Sequence, residues 1–467
     1  MPSPSAVVEQ GRIVLADAAA GQAGVADGIG VAAARMLAPA ITLIARNLPR
    51  ESAALHILAC WAGGLTPKIS LTPDTLLLEI GSCLRLFGGV GKIVSTARAG
   101  IAAQGFALAL AVAPTPRGAQ WLAQSGSSAI CLDADSMRRQ LETLPLAVLP
   151  DKAASTLARF GARTLADVRR LPSAALGRRI GAASLQVLAQ AFGELADPRA
   201  EFIFPEQFSL SLPLPAAVET AAALLFAARR LTSALSGWLI VRQAGVREMT
   251  LCLQHRREET RLVLQFAELT AAGERFERVL RERLENLPLR APVEAIRLEA
   301  SRVDALAGRS RALFNDAAGE QEAIAALLER LCARLGEKQI YRLAVHDDHR
   351  PEYATQCIPL FAKAVPSEAR ALPRPLWLLA KPQSLAESAG RPQRRGPLRL
   401  LAGPERIEAG WWDGGEMRGE MSAEKGGEAV GDIRRDYFIA LSNDACWLWI
   451  YRECREPGGW YLHGFFS

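Results

Sequence analysis

The chain has 467 residues, half of them hydrophobic, and 55 basic residues against 49 acidic ones give a net charge of +6. That length allows two to four domains. No 18-residue stretch is apolar without Arg, Pro or Gly, so no membrane-spanning helix is expected, and the opening MPSPSAVVEQGR lacks the pattern of a secretory leader.

The eight cysteines are scattered, with no C-x-x-C pair and no Cys/His cluster at zinc spacing. They are expected to be reduced thiols of a cytoplasmic protein, and no metal or cofactor is expected. The basic surplus is almost entirely Arg. It permits nucleic-acid binding, and a GC-rich coding bias explains it equally well.

Residues 6–8 and 12–16 read as a strand pair turning at Gln10-Gly11, followed by helices at about 30–37 and 51–63. ISLTPDTLLLEIGSCLRLFGG (69–89) reads as two short strands around a turn, the second over 76–80 with one acid, Glu79, before a Gly-rich break. A helix is predicted over 90–104, a buried strand over FALALAVAP (106–114), and a short helix in TPRGAQWLAQSG closed by Gly126. Alternating strands and helices predict a sheet domain over residues 1–140.

Residues 141–200 read as short helices punctuated by Gly161, Pro172, Gly181 and Gly193. RFGARTLADVRRLP fits helix, glycine turn, helix. Helix-hairpin-helix units use such a turn to aim backbone N–H groups at a DNA phosphate, which makes Gly161 and Arg163 candidates. A plain helical bundle accounts for the same pattern.

Residues 205–305 read as βαββαβ. REMTLCLQH alternates at Met249, Leu251 and Leu253, and the later helix carries Phe276, Val279, Leu280, Leu284 and Leu287 on one face. Arg229, Arg230, Arg256, Arg257 and Arg261 are either DNA-backbone contacts or ordinary solvated charges. Arg256 and Arg257, in the expected turn, are taken as the candidates.

Within 306–395, EQEAIAALLERLCARLG is an amphipathic helix, and LPRPLWLLAKPQSLAESAGRPQRRGP reads as a Pro-rich, basic linker. Residues 396–467 are expected to be β-rich, with a mobile insert in GEMRGEMSAEKGGEAVGD. The chain closes on a hairpin turning at Pro457-Gly458-Gly459, with Trp447, Trp449 and Tyr451 on one face. That face is either sheet core or a partner surface. The predicted fold class is α+β and multidomain.

This order resembles the Y-family translesion DNA polymerases over residues 5–305. Their parts are a palm with fingers, a helix-hairpin-helix thumb and a βαββαβ little finger. In that family a strand-turn-strand reads roughly S-[IL]-D-E-x-x-L-D-[IV]-[ST]-G. Here Thr72 and Pro73 stand where the acidic pair would be, and Glu79 falls at an acid that is structural there. The family's first palm strand, with another metal-binding Asp, is expected upstream of AVVEQGRIV. Its N-K-x-x-A-K helix start is here Thr115-Pro116-Arg117-Gly118-Ala119-Gln120, without Lys. Two-metal phosphoryl transfer needs carboxylates that hold both cations, so the resemblance implies no catalytic residues.

The strings LLLEIGSCLRLFGG, AVAPTPRGAQWLAQ, RPLWLL, GPLRLLAGPERIEAGWWDGG, RRDYF and GGWYLHGFF are similar to those of the inactive branch, the ImuB-type proteins of bacterial inducible mutagenesis. The resemblance implies a non-catalytic adaptor in SOS-induced translesion synthesis. Its implied partners are the sliding clamp, an error-prone C-family DNA polymerase alpha subunit, a RecA-like accessory protein and, weakly, DNA.

A clamp peptide in such proteins resembles Q-L-P-L-[FW]. The candidate here is TQCIPLF, with Gln356, Ile358, Pro359, Leu360 and Phe361, and with Cys357 where Gln is expected. It is expected in a loop, where Leu and Phe anchors suit a greasy pocket and Pro pre-orders the peptide. Trp377, Trp411 and Trp412 are candidates for the other protein partners. The alternatives are an active polymerase with displaced carboxylates, for which Asp74 and Glu79 are the available acids, and a generic DNA-binding module.

Overall fold

The computed structural model describes residues 3–306, 317–362, 373–410 and 433–466. It comprises two compact units, Met1–Arg334 and Leu335–Ser467. The architecture is α+β in both sequence order and sheet content.

In the first unit, β1 (Ser5–Glu9) and β2 (Arg12–Ala16) form the predicted hairpin. Gln10 and Gly11 both take positive φ, 48° and 76°, the turn geometry that matches strand twist. β3 (Thr42–Ala45) adds parallel to β1. Helix Leu48–Ala62 follows, its first turn capped by the Asn47 side chain accepting from Arg50 N at 3.0 Å. β4 (Ile69–Leu71) and β5 (Leu76–Leu78) then pair only with each other as a two-stranded sheet. Helix Val90–Ala103 and helix Pro116–Gln124 stand near their predicted places.

Residues 106–114 correct the sequence reading. The apolar run predicts a buried strand, yet the segment makes one isolated parallel bridge, Val112↔Ile130, and Leu108 is 39% exposed. Among the described residues no strand lies alongside 106–111. Apolar composition supplies a face to bury but not a ladder partner.

Helices Asp151–Arg159, Leu165–Arg169 and Ser173–Ala191 form the predicted helical group around Leu157, Leu165, Val168 and Leu188. Gly181, at φ 82°, breaks the last of them. The next sheet contains β6 (Phe208–Val218), β7 (Ala244–Gln254), β8 (Glu259–Thr270), β9 (Val293–Ala300) and β10 (Val303–Ala305). β9 lies between β6 and β7, β8 flanks β7, and β10 continues along β7.

Helices Ala221–Val241 and Gly273–Glu285 bury Leu224, Leu231, Leu235, Trp238, Phe276, Val279 and Leu280 in one core with this sheet. By length and composition the first of these helices is apolar enough to cross a membrane, contrary to the expectation above. It nevertheless carries Arg229 and Arg230, and Leu224, Leu231, Leu235, Trp238 and Leu239 lie in that core, while Phe226 and Ile240 are about half exposed. Helix Ala317–Leu335 docks through Glu329, 1% exposed. Glu329 accepts from Arg275 Nε and Nη2 at 2.8 and 2.6 Å and from Ala267 N at 2.7 Å.

The second unit opens with a hairpin of β11 (Tyr341–Val345) and β12 (Thr355–Pro359). A six-stranded antiparallel sheet follows: β13 (Trp377–Ser388), β14 (Arg391–Gln393), β15 (Arg399–Ala409), β16 (Ile433–Leu441), β17 (Trp447–Glu453) and β18 (Gly459–Phe465). Its order is β14-β13-β18-β17-β16-β15. The two edge strands are consecutive in the chain, and a bridge between Gln393 and Pro397 joins them. The sheet therefore rolls on itself with Leu398, Leu448, Ile450, Trp460 and Leu462 inside.

The Pro-rich linker expected through residue 395 is therefore not a linker. Residues 377–388 are a full strand, and the division between units falls after Arg334. The prolines misled because Pro392 sits on an edge strand and Pro382 at the register shift of β13, places where a missing N–H is tolerated. The insert expected at 415–432 lies outside the described residues.

Candidate functional site

The turn between β4 and β5 holds the residues that stand in place of the acids. Thr72 N donates to Thr75 O at 2.9 Å, closing the turn, and Pro73 fixes the backbone inside it. Asp74 is surrounded by neutral donors. Thr72 Oγ1 and Thr75 Oγ1 donate to its Oδ1 at 3.1 and 2.9 Å, and Gln124 Nε2 donates to its Oδ2 at 2.9 Å.

Glu79 accepts from Gly81 N at 2.7 Å and Ser82 Oγ at 2.9 Å, and so pins the turn after β5. The Ser82 hydroxyl, then the backbone of Gly81 and Ser82, hold its carboxyl below the usual range. Both acids thus organise turns. Among the described residues no group of three or more His, Cys, Asp or Glu is placed to hold a metal ion.

Thr115 caps the next helix, accepting from Gly118 N at 3.1 Å and donating to Ala191 O at 2.8 Å. Arg117 turns toward Gln120 Oε1 at 3.4 Å and Asp197 at 4.0 Å, and Asp197 also binds Arg199 at 2.6 Å. Burial and the neighbouring Arg199 lower the Arg117 pKa. Sequence reading missed this cluster, because Asp197 and Arg199 come from a distant segment with no motif of its own.

Gly161 takes φ 83° in an exposed turn with nothing within 4 Å of a would-be Cβ. The turn's N–H groups, however, are already bonded. Gly161 N donates to Ala158 O, Ala162 N to Leu157 O, and Arg163 N and Thr164 N to Asp167 Oδ2 at 2.9 and 3.0 Å. In this chain those N–H groups are therefore bonded within the turn. The exposed feature is the Arg163 side chain.

Beside that turn Arg179 stacks on Phe160 at 4.2 Å. Arg256 and Arg257 are exposed on the β7–β8 turn, on a different element from Gly161 and Arg163. Arg229 pairs with Glu277 and Arg261 with Glu299. Arg230 donates to Gln104 O at 2.7 Å.

In the second unit the candidate clamp peptide is a strand rather than a loop. Gln356 faces Ala344, Ile358 faces Arg342 and Pro359 faces Tyr341 across the hairpin. Gln356 and Cys357 are exposed, while Ile358, Leu360 and Phe361 are half-buried. Ala362 closes a turn onto Pro359 O at 3.0 Å, and Arg342 donates to Ala362 O. Trp377 is 68% exposed, opposite Phe465. Trp411 and Trp412 lie outside the described residues.

Of the predicted aromatic face, Trp449 and Tyr451 are buried and Trp447 is 48% exposed. Behind them is a network that sequence did not signal. Tyr437 hydroxyl lies 2.9 Å from His463 Nδ1, and Arg435 donates to Glu352 at 2.5 Å.

No protein-family model matches the chain. It is 27% identical to Protein ImuB of Caulobacter vibrioides, in strains NA1000 and CB 15, over 465 residues. The match spans 92% of this chain and 97% of that relative. Among solved structures the chain is similar to a ternary complex of Dbh DNA polymerase, at 18% identity and a TM-score of 0.37 over 65% of this chain and 92% of the other. It is also similar to a DinB family error-prone DNA polymerase from Sulfolobus solfataricus, at 16% identity and a TM-score of 0.36 over 64% and 91%.

Proposed function

We propose that this chain is a non-catalytic adaptor with Y-family polymerase-like parts, acting in DNA-damage tolerance in the cytoplasm. Residues 1–140 would be palm and fingers, 141–200 thumb and 205–305 little finger. The likeness to ImuB over nearly the whole chain supports the role. The observation that carries the non-catalytic reading is the β4–β5 turn, where Thr72 and Pro73 bring no charge and Asp74 is held by three neutral donors. Two-metal transfer needs carboxylates converging on two cations about 4 Å apart, and this turn supplies one acid, bonded to its own loop and to Gln124.

The adaptor reading rests on the hairpin of the second unit. Gln356, Ile358, Pro359, Leu360 and Phe361 would meet a sliding clamp, with Leu360 and Phe361 as anchors. Trp377, with its ring largely in solvent, is the candidate contact for an error-prone C-family polymerase or a RecA-like accessory protein. Arg163, Arg256 and Arg257 would hold DNA weakly and without sequence preference.

Primer extension by the purified chain, with magnesium and then manganese, tests the non-catalytic reading. The expected outcome is no added nucleotide above a no-protein control. Extension that survives repurification and is lost in Asp74→Ala would establish the alternative, an active polymerase.

A further inference from the structure

The segment that closes the rolled sheet carries Arg391, Arg394, Arg395 and Arg399, and residues 388–404 contain no acid. Arg395 and Gly396 turn the chain at positive φ, 51° and 129°. Gly396 sits so close to the Asn443 side chain that a Cβ would not fit, which sets the segment beside the 442–446 turn.

Arg399 stands opposite Leu441, and Leu441 opposite Trp447, so Arg399 and Trp447 share one cross-strand row and one face. Trp447 is 48% exposed, while Trp449 on the same strand is 2% exposed. Arg394 lies over the Phe465 ring at 5.3 Å, and Phe465 stands opposite Leu448, so this stack is on the other face of the sheet from Trp447. The neighbouring acid, Asp444, is 4.0 Å from Arg395, with side chains 62% and 85% exposed, a contact that solvent screens. Arg399 has no ion pair among the described residues.

We propose that this rim of the second unit binds single-stranded nucleic acid, with Arg395 and Arg399 on phosphates and Trp447 stacking on a base. Arg399 without an ion pair and Arg395 in a solvent-screened one, beside an open aromatic ring, supply the two components of sequence-tolerant strand binding. An acidic peptide would use the arginines and leave the indole without a partner. The site stands on the second unit alone and does not depend on the polymerase-like reading of the first.

The test uses the full chain and a fluorescein-labelled oligo(dT) of about 20 nucleotides, with anisotropy followed from about 50 mM salt upward. Arg395→Ala/Arg399→Ala is expected to weaken binding several-fold and to flatten the salt slope by about 1.4, because each phosphate contact contributes about 0.7. Trp447→Ala is expected to weaken binding several-fold with the slope unchanged, and Trp447→Phe to restore most of it. Arg395→Glu/Arg399→Glu at the same two exposed positions serves as the second variant and is expected to show at least the same loss. Unchanged affinity and slope in both charge variants, with melting curves intact, overturns the proposal. Loss of poly-glutamate binding without loss of oligonucleotide binding also overturns it and assigns the rim to an acidic protein.

Discussion

His463 has no exposed surface, and its ring stacks on Trp449 with centroids 5.7 Å apart. Burial pushes its pKa from 6.5 down to about 4. Nearby Glu352 opposes that shift, and Arg435 adds to it. The sign of the linkage follows. Below pH 6.5 the unfolded chain binds a proton that the folded one refuses until about pH 4. Stability of the second unit is full above pH 6.5 and falls across that window, by on the order of 3 kcal/mol at most. Urea melts followed by tryptophan fluorescence at stepped pH should show this fall, and His463→Gln should flatten it. Equal slopes in the two proteins would contradict the assignment.

Strand alternation placed Trp449 and Tyr451 on one face, but a single His in GGWYLHGFF gave no hint of burial. Its partner Glu352 arrives from another hairpin, a pairing that periodicity does not encode. At the β4–β5 turn the reverse holds. Thr72, Pro73 and Asp74 could be read as a turn from sequence alone, since the Thr72 and Thr75 bonds are made within three positions, whereas the Gln124 bond to Asp74 spans fifty residues and was not legible.

At the scale of elements, helices Leu48–Ala62 and Ala221–Val241 cross where Gly63 meets Gly237. A Cβ on Gly237 would stand 2.5 Å from Trp61 O and 2.9 Å from Trp61 C, so the helix backbones are nearly in contact. Ile57 and Cys60 thereby enter the same core as Leu231, Leu235 and Trp238. Burial there raises the Cys60 thiol to about 12 and keeps it protonated. Gly237→Ala should cost roughly 1–3 kcal/mol in a urea melt, because the interface has no room to give. A neutral result would mean that the two helices do not approach so closely.

Both helices were legible from their apolar runs, as were the βαββαβ unit and the final hairpin. Which faces meet was not legible, because glycine marks equally a turn, a cap and a close approach. Residues 106–114 and 377–388 show the two opposite failures. One is apolar without a strand beside it. The other is Pro-rich yet paired, because its neighbour β18 supplies the ladder.

At the scale of the molecule, residues 1–334 and the rolled C-terminal sheet are separate units, each with its own core. An adaptor has use for that division: one unit can keep a DNA-compatible shape while the other presents peptides and surfaces to proteins. The proposed clamp peptide includes β12 of a two-stranded hairpin, with Ile358 opposite Arg342 and the proposed anchors Leu360 and Phe361 just beyond the strand. That placement was only partly legible: the residue pattern was visible in TQCIPLF, whereas its pairing with residues 341–345 was not.

Binding of the purified full chain to its sliding clamp, intact against Leu360→Ala/Phe361→Ala, tests the adaptor reading most directly. The account predicts measurable binding by the intact chain and at least about a tenfold loss in the double variant, since two apolar anchors that become buried in a clamp pocket contribute well over about 1.4 kcal/mol together. Melting behaviour should be unchanged. A folded intact chain that does not bind, or a double variant that binds as well as the intact one, would contradict it.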